Sequence, residues 1–214
     1  MTKLKTDTAI ILAGGKSSRM GEDKAFIELG GQTLLDRAIE KMSGFFSEII
    51  VVINRGDFAD PRIKTVKDRI ADRGPLGGIL AGLEGSSSPY NFVTACDMPF
   101  TNTKLMKLLV GIGEADVVAP RTERGVQPLC AVYSKNCIPR IEHYILEAGR
   151  CPISFFKQIK LKCVSRERVS EVDPEMMSFF NINTPQDLKQ AGEWLLCESV
   201  EAGRAAEDER RRSD

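Results

Sequence analysis

Four short segments of this 214-residue chain carry residues whose types and spacing suit phosphate and nucleotide chemistry. The first is Gly14-Gly15-Lys16-Ser17-Ser18-Arg19-Met20-Gly21-Glu22-Asp23-Lys24, directly after the apolar run Ala9-Ile10-Ile11-Leu12-Ala13. Paired glycines let successive backbone amides approach an anion closely, and Arg19 and Lys24 add charge. A buried strand that ends in such a loop is built to deliver amides and cations to a triphosphate. The plainer alternative is a strand-to-loop turn with surface cations. Two familiar phosphate loops are excluded by inspection: a Walker loop needs glycine at position 10, which is isoleucine, and no G-x-G-x-x-G occurs.

The second segment is Thr94-Ala95-Cys96-Asp97-Met98-Pro99. A carboxylate just past a buried strand can hold a magnesium ion that bridges phosphate oxygens. Alternatively it caps a turn, as Asp-x-Pro often does. The third is Asp68 followed by Gly74-Pro75-Leu76-Gly77-Gly78. Exposed glycine backbone suits the edge of a flat base, but the same residues read equally as a flexible loop opening a helix at Ile79. The fourth is Asn181-Ile182-Asn183-Thr184-Pro185, where neutral amides could orient ligand oxygens. Local physics alone favours an Asx-turn with a helix cap there.

These residues need rigid elements behind them. Short β-branched runs at Ile10 to Ala13, Ile49 to Ile53, Phe92 to Cys96 and Val117 to Ala119 predict buried strands. Between them lie helix-period segments. Leu34 to Met42 has apolar residues at 34, 35, 38, 39 and 42, with Thr33 as N-cap, and Thr103 to Val110 repeats the pattern. Further on, Gln127 to Ser134 predicts a strand, Cys137 to Glu147 a helix, Pro152 to Phe156 a short helix, and Pro185 the first turn of a last helix capped by Thr184. Alternating strands and helices predict an α/β fold: a mainly parallel central sheet covered on both faces, with ligands beyond the carboxyl ends of the strands.

Composition bounds the function. Thirty basic and thirty acidic residues cancel, which argues against a generic nucleic-acid binder. The cysteines at 96, 130, 137, 151, 163 and 197 form no C-x-x-C pair, and His143 is the single histidine, so a zinc site is not expected. No secretory leader is evident and no apolar run approaches the roughly 20 residues of a membrane span. A reduced, cytoplasmic protein follows as the expectation. Residues 1–198 read as a single domain, and the charged segment 199–214, nearly devoid of apolar residues, as a solvated tail.

In order, the four segments resemble the molybdenum cofactor guanylyltransferase family, within the nucleotidyltransferases of nucleotide-diphospho-sugar transferase fold. Leu12 to Lys24 looks like the family's opening signature, and Gly74-Pro75-Leu76-Gly77-Gly78 is similar to its Gly-Pro-Leu-x-Gly segment. Cys96-Asp97-Met98-Pro99 matches its Cys-Asp-x-Pro, and Asn181-Ile182-Asn183-Thr184-Pro185 its late Asn-x-Asn-Thr-Pro. The likeness spans Ala9 to about Leu188. It implies a three-layer, Rossmann-like nucleotidyltransferase fold, GTP as donor, Mg2+ as cofactor, and molybdopterin or molybdenum cofactor as acceptor. Proteins that deliver the cofactor or mature molybdoenzymes are candidate further partners, while the charge balance and the apolar run lengths already argue against nucleic acid and membrane.

By the same resemblance, Leu12, Ala13, Gly14 and Gly15 wrap the nucleotide, and Arg19 and Lys24 meet its phosphates. Asn54, Asp68 and Asp97 surround it, with Asp97 on magnesium. Pro75, Leu76, Gly77 and Gly78 are candidates for the guanine, and Gln127, Arg150, Asn181 and Asn183 for the acceptor. One stretch departs: where the family often has Gly-x-Arg-Arg-Val, this chain has Gly149-Arg150-Cys151-Pro152-Ile153, with one arginine in place of two. Cytidylyl or other nucleotidyl transfer, and a non-catalytic nucleotide-binding regulator, are the competing readings.

Overall fold

A computed structural model describes residues 6–13, 23–53, 58, 60–68, 70, 74–147 and 149–197. Strand β1 (Thr8–Leu12) has no polar alternation, and all five of its residues are buried. Such a strand must be covered on both faces. Ala9 and Ile11 enter one core, and Ile10 and Leu12 enter the other. A small hairpin follows, β2 (Glu28–Leu29) and β3 (Gln32–Thr33), and leads into α1 (Leu34–Ser43). The chain continues through β4 (Glu48–Ile53), β5 (Lys64–Lys67), α2 (Pro75–Gly85), β6 (Tyr90–Ala95) and α3 (Thr103–Val110). The later part comprises β7 (Val117–Thr122), β8 (Gly125–Val126), β9 (Cys130–Ser134), α4 (Ile138–Leu146), α5 (Pro152–Phe155), β10 (Leu161–Val164) and α6 (Arg166–Ser170). A last helix, α7, occupies residues 185–197.

Among the described residues the main sheet has the order β10-β7-β9-β6-β1-β4-β5, with β8 beside β7. Strand β9 runs antiparallel to β6 and β7, whereas β1, β4, β5 and β6, and the β7–β10 pair, are parallel. Helices α1 and α3 cover one face and α2 and α4 the other. This is the expected three-layer α/β architecture with a mixed, mainly parallel sheet. No helix among the described residues is long and apolar enough to cross a membrane. Residues 199–214 lie outside the described part.

The order of strands creates the site. From β1 the chain moves outward to β4 and β5 and then returns to β6 on the other side of β1. Crevices open at such switch points, beyond the carboxyl ends of the strands. In register, Leu12 stands opposite Val52 on one side and Ala95 on the other. Ala13 and Cys96-Asp97 therefore emerge side by side, held by Ala13 N–H to the Val52 carbonyl at 2.9 Å and Cys96 N–H to the Leu12 carbonyl at 3.1 Å.

Three features differ from the sequence expectation. The strand expected over Gln127 to Ser134 is broken, with β9 starting at Cys130, because Pro128 has no N–H to give a ladder. Edge strands β5 and β10 and the hairpin were not anticipated, since short segments such as Lys-Thr-Val-Lys are too polar to read as buried strands. Helix α2 begins at Pro75, four residues before Ile79. Pro75 suits the first helical position, where its missing N–H is no loss, and Gly74 precedes it at φ 63°, a left-handed angle that favours glycine.

At the opposite edge of the sheet, a polar cluster closes the amino ends of the strands. Thr8 donates its hydroxyl to Glu48, and Ser87 gives Glu48 Oε2 both its N–H at 3.1 Å and its hydroxyl at 2.9 Å. Burial opposes the charge on Glu48, but these bonds outweigh it and hold the carboxyl below its ordinary value. A lowered carboxyl stabilises the fold above its unfolded pKa and loses that contribution as pH falls through its folded value. Glu48→Gln is therefore expected to lower the melting temperature at neutral pH, with the difference from wild type fading below the usual glutamate range of about 4.3. Thermal melts of both proteins from pH 7 to pH 3 check this.

Candidate active site

Three sequence segments converge on one nitrogen. Lys24 opens a 3-10 turn, Lys24–Phe26, capped by Asp23, whose carboxylate accepts the Ala25 N–H at 3.2 Å. From there Lys24 Nζ reaches Asp97 Oδ2 at 3.0 Å and Asn183 Oδ1 at 2.7 Å. Both side chains of the ion pair are mostly sheltered, with 19% and 18% exposure. Asp97 sits in a turn fixed by Met98 N–H to the Ala95 carbonyl at 3.2 Å, and its carboxylate faces the lysine. The turn-cap alternative for Asp97 is thus not what its carboxylate does here.

Asn181 and Asn183 also depart from the local expectation. Asn183 spends its amide oxygen on Lys24, and Asn181 donates its amide to the Phe179 carbonyl at 3.0 Å. The cap of α7 comes from Thr184, whose hydroxyl accepts the Asp187 N–H at 3.2 Å, and from Asp187, whose Oδ2 accepts the Thr184 N–H at 2.8 Å. Asp187 was not singled out from the sequence. The signal for it was present: Thr-x-x-Asp ahead of an apolar run is the reciprocal capping pattern. The whole segment is anchored to the Asp97 turn by Ile182 N–H to the Asp97 carbonyl at 2.9 Å, with Ile182 fully buried.

A second grouping lies at the start of α2. Residues Leu76, Gly77 and Gly78 are buried inside the helix and not in a flexible loop. A Cβ on Gly77 would stand 2.6 Å from Asp68 Oδ2, so glycine is what admits this carboxylate against the helix. Burial raises the Asp68 carboxyl above its ordinary value, against the hydrogen bond it accepts from Ile70 N–H at 2.9 Å. Gly78 packs against the Leu12 side chain, which ties the end of β1 to α2. Pro75 is partly exposed at the first helical position.

The other acceptor candidates, Gln127 and Arg150, make different contacts. Gln127 commits its amide to Thr122 Oγ1 at 2.8 Å and to the Gly125 carbonyl at 3.2 Å, closing the β7–β8 turn. Arg150 is exposed, and its carbonyl lies 3.3 Å from where a Gly74 Cβ would be, so the Gly149-Arg150 stretch borders the start of α2. Among the described residues, neither bonds to Lys24, Asp97 or Asn183. Gly14, Gly15, Arg19 and Asn54 lie outside the described residues.

Chemically, the cluster offers a cation, a carboxylate and a neutral amide beyond the carboxyl ends of the parallel strands β1 and β6. It offers no nucleophilic thiol: Cys96 is buried, and desolvation, with the Asp97 charge adding, pushes its thiol far up. No group of three or more His, Cys, Asp or Glu side chains suited to a metal occurs among the described residues. Within the described part of the cluster, Asp97 is the carboxylate that could take a hard cation of the magnesium type, which is commonly held by one or two carboxylates with phosphates and water completing the shell.

Gly77→Ala tests the Asp68 packing. Alanine should leave overall stability within about 1 kcal/mol, because its better helix propensity offsets the crowding. It should also displace the carboxylate toward solvent and bring its raised pKa down toward the ordinary range. Carboxyl-carbon NMR titration of Asp68 in the two proteins reads the shift.

Comparison with known proteins identifies the family. The model of the MobA-like NTP transferase domain matches residues 9–161. The molybdenum cofactor guanylyltransferase of Desulfosudis oleivorans is 38% identical over 189 residues, covering 86% of this chain and 93% of that protein. A probable molybdenum cofactor guanylyltransferase of Pelotomaculum thermopropionicum is 39% identical over 202 residues, covering 92% and 96%. Among solved structures, molybdopterin-guanine dinucleotide biosynthesis protein A of Archaeoglobus fulgidus superposes with a TM-score of 0.74 at 27% identity, over 90% of this chain and 99% of that one. A Thermus thermophilus 2-C-methyl-D-erythritol 4-phosphate cytidylyltransferase, at 16% identity and a TM-score of 0.66, shares the fold. With these matches along most of its length, the chain belongs to the MobA-like NTP transferase family.

Proposed function

We propose that the protein transfers GMP from GTP to the terminal phosphate of molybdopterin or molybdenum cofactor, releasing pyrophosphate. The observation that carries this reading is the meeting of Lys24, Asp97 and Asn183 at one nitrogen, beyond the carboxyl ends of β1 and β6. Relatives that are 38% and 39% identical bear the name of this activity, which supports guanine over cytosine as the donor base.

In the proposed reaction an acceptor phosphate oxygen attacks the α-phosphorus of GTP. A new P–O bond forms, the bond from the α-phosphorus to the bridging oxygen breaks, and pyrophosphate leaves with that electron pair. Phosphoryl-type transfer of this kind depends on positioning and on charge stabilisation. Lys24, released from Asp97 by the incoming phosphates, neutralises charge on the transferring and departing groups. Arg19 is assigned the same task. Leu12, Ala13, Gly14 and Gly15 wrap the nucleotide, and Asn54 and Asp68 contact it beside Pro75, Leu76, Gly77 and Gly78. Asn181, Asn183, Gln127 and Arg150 are assigned to the acceptor side.

Asp97 is the proposed magnesium ligand, and when bound the ion supplies Lewis-acid polarisation of the phosphate oxygens. The incoming phosphate is already ionised near neutral pH, so no protein base or nucleophile is required. That accords with the absence of histidine at the cluster. The reaction is assigned to the cytoplasm.

Pyrophosphate release with a molybdopterin acceptor, GTP or CTP, and magnesium tests the reading. GTP should support turnover and CTP should not, and removing divalent ions with EDTA should stop release until magnesium is restored. Asp97→Ala and Lys24→Ala should each lose about 100-fold or more in kcat while remaining folded by circular dichroism. Turnover at the wild-type rate by either variant, at saturating GTP and magnesium, sinks the role assignment.

A further inference from the structure

An amide on the chain leading into a helix is a weak anchor for a lysine unless its backbone is fixed. Asn183 is fixed by a residue four positions later. Asp187 Oδ2 accepts two N–H bonds, from Thr184 at 2.8 Å and from Asn183 at 2.9 Å. The Thr184 bond, with Thr184 Oγ1 accepting the Asp187 N–H at 3.2 Å, is the reciprocal cap that any helix of this pattern could use. The Asn183 bond is extra to the cap. It holds the residue whose amide oxygen meets Lys24 Nζ at 2.7 Å.

The other side of the segment is equally fixed. Ile182 N–H is bonded to the Asp97 carbonyl, and Phe180 packs edge-on against Trp194 of α7 at 4.8 Å between ring centroids. Burial works against charge on Asp187. Even so, the N–H bonds from Asn183 and Thr184, the Thr184 side chain and the nearby Lys24 charge together hold its carboxyl below the ordinary value. The anion is therefore a permanent feature near neutral pH, close to the lysine without bonding to it.

We propose that Asp187 is a positioning residue for the Lys24 ammonium: by fixing the Asn183 backbone it aims the Asn183 amide oxygen and sets where the cation rests beside Asp97. The consequence for turnover rests on the proposed GMP transfer, but the resting position of Lys24 can be read without it.

The full-length chain and its Asp187→Ala, Asp187→Asn, Asn183→Ala and Thr184→Ala variants would be treated, without nucleotide, with formaldehyde and a borane reductant. Methylation of Lys24 relative to exposed lysines would be followed by peptide mass spectrometry, and melting temperature measured in parallel. Asp187→Ala and Asn183→Ala should each speed Lys24 methylation about fivefold, the factor that one net hydrogen bond represents. Asp187→Asn, which keeps an acceptor oxygen, should stay within about twofold of wild type. Thr184→Ala weakens the helix cap but leaves the Asn183 bond, so it should lower the melting temperature without changing Lys24 reactivity.

In the transfer assay, Asp187→Ala should lower kcat about tenfold with little change in GTP affinity, a split that a purely structural role would not produce. Unchanged Lys24 methylation in Asp187→Ala or in Asn183→Ala overturns the proposal. So does an equal rise in Thr184→Ala, because the end of the helix would then be the cause. If the wild-type protein transfers no GMP, the functional reading fails while the methylation result still decides this one.

Discussion

The Lys24 ammonium, held between the Asp97 carboxylate and the Asn183 amide, is the contact around which the described structure is organised. Its three members come from the turn after the first strand's loop, from the end of β6 and from the approach to the last helix. Taking a cation partly out of water is costly unless its partners are fixed in place. Much of the surrounding structure can be understood as the means of fixing them. The Asp23 cap starts the turn that carries Lys24. The β1–β6 register places Asp97 at the sheet edge, and the Ile182 bond to the Asp97 carbonyl joins the third member to the second.

The supporting shell is apolar on one side and polar on the other. Phe100 and Phe180 each pack edge-on against Trp194 and tilt against one another around buried Ile182, with ring centroids 4.8 to 6.1 Å apart, and this cluster docks α7 against the Asp97 turn. On the far side of that turn, buried Asp173 accepts N–H bonds from Met177 and Ser178, and Ser178 Oγ in turn accepts the Asn102 N–H at 2.8 Å. Asn102 caps α3 and donates to the Val172 carbonyl. The stretch from Cys96 to Asn102 is thus clamped at both ends, which is how a loop can hold a carboxylate with the precision of a strand. The Asp68–Gly77 grouping is built differently: a helix dispenses with a side chain so that a carboxylate can lie against it.

The family motifs align with these physical roles unevenly. The opening and Cys-Asp-x-Pro segments contribute the charged atoms, and the Asn-Thr-Pro segment contributes the amide and, through Thr184 and Asp187, its support. The Gly-Pro-Leu-Gly-Gly segment is a helix start whose glycines serve packing against Asp68 and Leu12. The part proposed for it in base recognition would use backbone and edges, with charge left to the other segments. Arg150 borders that helix start, so the stretch that departs from the family pattern falls beside α2.

Much was legible in the amino-acid order. The unbroken apolar strands required a sheet covered on both faces, the helix at Thr103–Val110 appeared within its expected bounds, and Thr33 and Thr184 cap the helices they were expected to cap. Those features depend on neighbours within a few residues, where periodicity and capping chemistry act. Edge strands β5 and β10 were hidden because a half-exposed strand of four residues carries too little apolar signal. The bond from Lys24 to Asn183, 159 positions apart, was beyond local reading altogether. From sequence, Asn183 looked like a turn former, because its backbone neighbourhood favours one and nothing nearby reveals a distant cation. Strand order and register brought that cation within 2.7 Å, and the tertiary fold thereby gave the amide oxygen a use, bonding a lysine, that the local sequence did not offer.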